Sequence, residues 1–197
     1  MRLTWPLGAA AVALAVLCAP ASASMVEART LEQLVRDAGY VVLARVESQA
    51  SRYDARGRIV TDVTLEIEQV VKGDAEPGAR LVLRRFGGVV GDVAATVDGA
   101  PTFRDGELAV VFAQRRGGDH LYAVGMSQGV FPVRVVRSKA RAGGATRVVD
   151  PSGRGLALVT RGPNGTLQKA AGVLSETTSL DAFLGRLRAI AAAQEGH

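Results

Sequence analysis

The residues whose types could support nucleophilic catalysis lie close together in one stretch of the chain. Asp119, His120 and Ser127 are the three types that form a hydrolase triad, in which aspartate orients histidine and histidine activates serine. Adjacent Asp119 and His120 side chains cannot point at one another as a triad requires. The other histidine, His197, is the last residue. We therefore predict no catalytic residue, and we interpret His120 as a solvated side chain of the hairpin loop RRGGDH.

Four carboxylates could offer oxygen ligands to a calcium ion. Asp92, Asp98, Asp105 and Glu107 lie in or near a glycine-rich stretch, residues 87–106. Their spacing matches no calcium loop, and aspartate is common in turns, so we interpret them as turn formers. Zinc needs three or four cysteine, histidine or carboxylate ligands, and the sequence shows no such cluster. The sequence predicts neither a metal nor a cofactor.

The excess of positive charge is concentrated in a basic segment, residues 134–161. Residues 24–133 carry 13 basic and 15 acidic side chains, whereas the basic segment carries seven basic side chains against one acidic one, Asp150. The seven are Arg134, Arg137, Lys139, Arg141, Arg147, Arg154 and Arg161. Clustered cations attract an anionic partner, although a solvated basic face is the simpler interpretation. A hairpin that turns at residues 141–145 would bring Arg137 and Lys139 near Arg147.

The surroundings of the basic segment indicate what kind of anion it could bind. Proteins that bind single-stranded nucleic acid stack bases on aromatic side chains. Here aromatic residues make up only 5% of the chain, and Phe131 is the nearest one to the segment. We therefore expect no nucleic acid, and we expect an anionic envelope glycan, a lipopolysaccharide or an acidic protein as the partner.

The N-terminal residues have the pattern of a secretory signal peptide. Arg2 is followed by an apolar run, residues 7–17, and by a small-x-small motif that ends at Ala23. This pattern predicts cleavage between Ala23 and Ser24, and a periplasmic or extracellular location. The single cysteine falls inside residues 1–23, so the mature chain would contain no disulfide. No later run is long and apolar enough to span a membrane.

The remaining residues, 24–197, are predicted to form one mainly β domain. In residues 57–73, Val63, Leu65 and Ile67 alternate with polar residues, which is the pattern of a strand with one buried face. The phase weakens near Gln69, where we predict a bulge. Shorter strands with frequent glycine and proline turns follow, and a small antiparallel, OB-like barrel or a sandwich would cover their edges.

A helix is predicted at each end of this domain. Thr30 and Gln33 have the spacing of a capping box at the start of a short N-terminal helix. Near the C-terminus, Ser179 precedes an amphipathic helix. Its apolar stripe consists of Leu180, Phe183, Leu184, Leu187, Ile190 and Ala191. We expect this stripe to cover an open side or end of the sheet.

Residues 30–136 carry a resemblance to known proteins. The sequences TDVTLEIEQVVKGD, GGVVGDV, GAPTFRDGELAVVFA and YAVGMSQGVFPV follow one another in an order that resembles small exported β-proteins of Gram-negative bacteria, a group with no firmly assigned activity. More distantly, the Val-x-Lys-Gly strand end is similar to the OB-like barrel of netrin-like modules, which tissue inhibitors of metalloproteinases share. Those inhibitors use an N-terminal cysteine and disulfides, so the resemblance implies the barrel alone.

These observations together predict an exported, non-enzymatic β-domain protein that binds an envelope or secreted partner. A periplasmic hydrolase with an unrecognised site is one alternative. A protease inhibitor or a chaperone-like protein is another, and a structural component of the cell envelope is a third.

Overall fold

The computed structural model describes residues 25–137, 145–153, 156–174 and 176–196. In these residues the elements, in chain order, are β1 (Met25–Glu27), α1 (Leu31–Asp37), β2 (Tyr40–Tyr53), β3 (Ile59–Lys72), β4 (Arg80–Phe86), β5 (Gly88–Val90), β6 (Val93–Ala95), β7 (Leu108–Arg115), β8 (Leu121–Ala123), a 3-10 helix (Met126–Gly129), β9 (Val130–Arg137), β10 (Ala145–Val149), β11 (Ala157–Arg161), β12 (Leu167–Lys169), β13 (Thr178–Ser179) and α2 (Leu180–Glu195).

The two longest strands, β2 and β3, form an antiparallel hairpin at the centre of the sheet. Their pairing runs from Tyr53 opposite Ile59 to Val41 opposite Lys72, with three register shifts. At one shift, Leu43 pairs with Gln69 and Ala44 with Ile67, so one β3 residue has no partner. The bulge predicted near Gln69 is confirmed. Bulges bend a strand and increase its twist, which helps a sheet to curl into a barrel.

Five strands form a ring in the order β7, β2, β3, β4, β8 and back to β7. Neighbours in the ring are antiparallel except β4 and β8, which are parallel and joined at a single residue pair, Leu83 and Leu121. The ring is therefore only partly closed. Strands β9, β10 and β13 extend the same sheet outward from β7. The predicted class, a mainly β domain with a short N-terminal helix and a C-terminal amphipathic helix, is confirmed, and of the two predicted architectures, barrel or sandwich, a barrel-like ring is partly present.

Two apolar cores lie on opposite faces of the central strands. Alternate residues of β2 separate them: Val42 and Ala44 belong to the core inside the ring, whereas Val41 and Leu43 belong to the core under the helices. This arrangement explains why the start of β2 is apolar on both faces. A strand buried on both sides loses the usual alternation of polar and apolar residues.

The helices cover the outer face of the sheet. The capping box of α1 is present, with the Thr30 hydroxyl accepting a hydrogen bond from the Gln33 backbone and the Gln33 side chain accepting one from the Thr30 backbone. The Ser179 hydroxyl caps α2. Leu184 and Leu187 of α2 are buried in the core that α1 shares. The predicted covering role of the C-terminal stripe is confirmed.

The glycine-rich stretch contains a small separate hairpin of β5 and β6. A further three-stranded sheet joins β1, β11 and β12, in which β1 is parallel to β11. Strands β11 and β12 form an antiparallel hairpin around a turn at residues 163–165, where Gly165 has a φ of 74°.

Proline removes a backbone donor, so Pro132 predicted an edge strand or a bulge. Strand β9 as a whole lies between β7 and β10, but at Pro132 it pairs with β7 alone, so the strand is an edge at that residue. The carbonyl of Pro132 accepts a hydrogen bond from the backbone N–H of Asp150 at 2.9 Å, just past the last β9–β10 pair, Val133 and Val149. The lack of an N–H at Pro132 therefore removes no hydrogen bond from the β9–β10 pairing, which has already ended there.

Residues 1–24, which include the predicted signal peptide and the cleavage site at Ala23 and Ser24, lie outside the described residues. Within the part of the chain that the structure describes, no helix is long and apolar enough to cross a membrane.

Candidate functional site

The structure places only part of the basic segment, and two of its cations are paired there. Lys139, Arg141 and Arg154 lie outside the described residues. Nε of Arg134 donates to both carboxylate oxygens of Asp150, at 2.9 and 2.8 Å. Arg147 lies 3.1 Å from a carboxylate oxygen of Glu68 on β3.

The β9–β10 pairing brings two of the segment's arginines together. Arg137 is opposite Ala145, and Arg147 is opposite Val135, so Arg137 and Arg147 share one face of the hairpin. Arg161 lies on β11 in the other sheet, where it contacts the carbonyl of Gly165 at 3.5 Å. A single anion-binding site that contains all seven basic residues thus stays a prediction.

One concave surface of the described chain is an arginine cleft of about 920 Å³, a size typical of small-molecule sites. It lies between β1, the β2–β3 loop, the end of β4 and the β7–β8 loop. Two carboxylates line it, Glu27 and Asp54, against six guanidinium groups. The six are those of Arg29, Arg56, Arg58, Arg84, Arg85 and Arg116.

The β2–β3 loop presents two of these arginines on a fixed turn. The Asp54 carboxylate accepts hydrogen bonds from the backbone N–H of Arg56 and of Arg58, both at 2.9 Å. It also accepts one from Nε of Arg58 at 2.8 Å. Gly57 has a φ of 72°, a conformation that suits glycine at the tip of this turn. The Arg58 guanidinium carbon then lies 4.9 Å from the centre of the Phe86 ring.

The end of β4 contributes two arginines that point to opposite faces, because side chains alternate along a strand. Arg84 is 7% exposed and forms a two-point ion pair with Asp62 at 2.6 and 2.9 Å. This contact with Arg84 is the main cause that lowers the pKa of Asp62. Arg85 follows Leu83 on the face that looks into the ring. Phe86 stacks on Tyr122 of β8 at 5.7 Å between ring centres.

The other walls come from two loops. The backbone N–H of Arg29 donates to the Gln128 side chain at 3.0 Å, and the Arg29 guanidinium pairs with Asp37. Arg116 and His120 line the cleft from the β7–β8 loop, where the Arg116 backbone N–H donates to the carbonyl of His120 at 3.1 Å.

Three of the six arginines are paired with carboxylates, and three are not. Arg56, Arg85 and Arg116 make no ion pair with any described residue. Nε of Arg85 is also buried and makes no hydrogen bond. Burial lowers the pKa of the Arg85 guanidinium, which still remains a cation at neutral pH. A buried donor without an acceptor is costly, so an anion that reaches Arg85 would gain a strong charge-assisted contact.

The residues considered for catalysis do not form a recognisable centre. The Asp119 side chain is fully exposed and lies 3.9 Å from Arg115. Ser127 is the serine of a Gly-x-Ser-x-Gly sequence, residues 125–129, which is the spacing of a nucleophile elbow in hydrolases. In a nucleophile elbow the serine lies on a strained turn and is exposed. Here Ser127 is only 7% exposed within the 3-10 helix, and the left-handed conformation belongs to Met126, with a φ of 62°.

The glycines of this motif have a structural explanation. Gly125 adopts a φ of 64° before the 3-10 helix. A Cβ on Gly129 would collide with the carbonyl oxygen of Val124. The described residues also bring no group of three or more histidine, cysteine, aspartate or glutamate side chains together around a common point.

Sequence reasoning missed the arginine cleft because its cations come from separate segments. Residues 24–133 are slightly acidic as a whole, which hides the local excess of arginine at three strand ends. The signal was present as DARGR, RRF and RRGGDH, three short basic motifs next to predicted turns. Only the ring of strands shows that these motifs face one cleft.

The fold and the site define a mainly β protein with an OB-like ring and an arginine-lined cleft. No protein-family model, no curated protein and no solved structure matches this chain. The resemblance to exported bacterial β-proteins thus stays a prediction from the sequence.

Proposed function

We propose that this chain is an exported, non-enzymatic binding protein whose arginine cleft binds an anionic ligand with phosphate or carboxylate groups. One observation carries the proposal: Arg56, Arg85 and Arg116 face the cleft without a carboxylate partner among the described residues. Guanidinium groups bind phosphate and carboxylate through paired, charge-assisted hydrogen bonds. The cleft is therefore suited to an anion rather than to a neutral ligand.

The position of the cleft supports the same proposal. In five-stranded OB-type barrels, the loops that correspond to β2–β3 and β7–β8 flank the face that binds oligosaccharides and oligonucleotides. Phe86 is already engaged by Tyr122 and Arg58, so it is a poor platform for a nucleotide base. An acidic glycan or a lipid phosphate of the cell envelope fits the expected export better than nucleic acid does.

The test is a calorimetric titration with inositol hexakisphosphate, used as a compact polyanionic probe. We expect binding that weakens with added salt, because salt screens exposed charges. The double variant Arg56→Gln/Arg116→Gln should weaken binding by about a hundredfold or more, since each of the two charge-assisted hydrogen bonds contributes about 1.5–3 kcal/mol. Both side chains are exposed, so the fold should be unaffected.

The matched control is Arg104→Gln/Arg137→Gln, which removes the same charge from two exposed arginines outside the cleft. Equal loss in both variants would mean that only the net charge matters. Loss in the control variant alone would move the site to the basic segment. The hydrolase alternative predicts that the probe is consumed, whereas we expect it to be recovered unchanged after the titration.

A further inference from the structure

An apolar groove of about 390 Å³ adjoins the arginine cleft. It lies between the β5–β6 hairpin and the end of the β2–β3 hairpin. Its apolar lining consists of Tyr53, Ile59, Phe86, Val93, Ala95 and Val97. Val93 is 52% exposed and Val97 is 40% exposed, so these valines offer uncovered hydrocarbon surface. Exposed apolar surface next to a polar site is typical of ligand-binding grooves.

Two side-chain hydroxyls fix the base of the β5–β6 hairpin beside the groove. The Thr61 hydroxyl donates to the carbonyl of Gly87 at 2.6 Å and lies 2.9 Å from the Ser51 hydroxyl. A Cβ on Gly88 would collide with both hydroxyls, so only glycine allows the hairpin to approach so closely. The hairpin is therefore anchored at its base, while Val93 and Val97 stay away from the core.

The groove and the cleft are adjacent. Arg58, Phe86 and Val97 line both of them. Of the groove's lining residues, only Arg58 is charged, and it is one of the three that the groove shares with the cleft. The lining thus changes from strongly cationic to apolar at these three shared residues.

From this adjacency of cationic and apolar surface we infer that the ligand is an anionic amphiphile, with its phosphate or carboxylate head in the arginine cleft and its hydrocarbon chain in the apolar groove. The inference rests on the proposed function and adds the ligand's second part. We expect the protein to bind single amphiphile molecules rather than a bilayer surface. The groove is concave, and the hairpin tip carries exposed Asp92, which would oppose insertion into an anionic bilayer.

The experiment measures the affinity of the full chain for methyl, butyl, hexyl and octyl phosphate, each below its micelle concentration. We expect the affinity to rise about threefold to fourfold for each methylene that the groove covers. Octyl glucoside, which has the chain without the charge, should bind far more weakly than octyl phosphate. Anionic phospholipid vesicles test the bilayer source, and we expect the protein not to float with them.

Two valine variants locate the chain. Val93→Ser, at a valine that lines the groove and not the cleft, should flatten the dependence on chain length while leaving methyl phosphate binding unchanged. Val89→Ser is the matched control, because this valine is 62% exposed and lies outside the groove. Equal affinity for all four phosphates would overturn this inference and leave the proposed function standing. Absence of binding by the phosphates and by inositol hexakisphosphate would overturn both, and flotation with vesicles would replace the single amphiphile by a membrane surface.

Discussion

Asp54 is the residue on which the geometry of the β2–β3 loop depends. Its carboxylate accepts two backbone hydrogen bonds and one from the Arg58 side chain, which orients Arg56 and Arg58 toward the cleft. The hydrogen bonds from Arg58, with its backbone first, lower the pKa of Asp54 from 3.8 to about 2. The ionised form is thus favoured by the folded state.

This pKa predicts an acid-sensitive contribution to stability. Because the folded pKa is below the unfolded one, Asp54 stabilises the fold above pH 4, and the contribution is lost as the pH falls from about 4 to about 2. Urea unfolding of the wild type and of Asp54→Asn should therefore differ at pH 6 and converge near pH 2. Asp119→Asn is the control, since the Asp119 side chain is fully exposed. A constant difference across this range would contradict the assignment.

At the scale of elements, α2 is the main cover of the outer core. Leu184 is 2% exposed there, among side chains of α1 and the sheet. Leu184→Ala should lower the free energy of unfolding by about 2–5 kcal/mol, because truncation leaves a cavity in a packed core. Thermal and urea unfolding measure the loss.

Arg186→Ala on the exposed side of α2 is the matched control for this helix. Its guanidinium lies 3.6 Å from Glu32, with both side chains more than half exposed. Such surface pairs contribute at most about 1 kcal/mol. If Leu184→Ala unfolded like the control, α2 would be detached from the core in solution.

The sequence predicted elements better than it predicted their assembly. The alternation in β3 and the caps of both helices follow from local patterns, since alternation and capping involve neighbours in the chain. Pro132 marks the point where β9 has only one neighbour, but the sequence could not show which strands flank β9, because pairing is not local. The arginine cleft was missed for the same reason: Arg56 and Arg116 meet only after the ring has formed.

For the whole molecule, Gln128 is the joint between the small sheet and the ring. Its side chain is 2% exposed; it accepts from the Arg29 backbone and donates to the carbonyls of Glu27 and Gly125, at 3.0, 3.2 and 3.3 Å. Strand β1, a wall of the cleft, is thus held to the 3-10 helix as well as to β11.

Gln128→Met keeps the side-chain length and removes these hydrogen bonds. We expect faster hydrogen–deuterium exchange in residues 25–29, with β2 and β3 unchanged, because only the β1 wall loses its attachment. Gln49→Met is the control, since the Gln49 side chain donates to the Phe103 carbonyl and to the Asp105 carboxylate, neither of which belongs to β1. Equal acceleration across the ring would show that β1 and the barrel unfold as one unit.

The parallel pairing of β1 with β11 also sets an order in time. A ribosome makes the chain from its N-terminus, so β1 is among the first described segments to emerge and β11 among the last. Strands β2 to β8 can complete their ring before the partner of β1 has been made. Pairing β1 with β11 also closes a long loop of chain, which is slow. The wall next to Arg29 is therefore completed late, and the cleft has all its described walls only after β11 has been made.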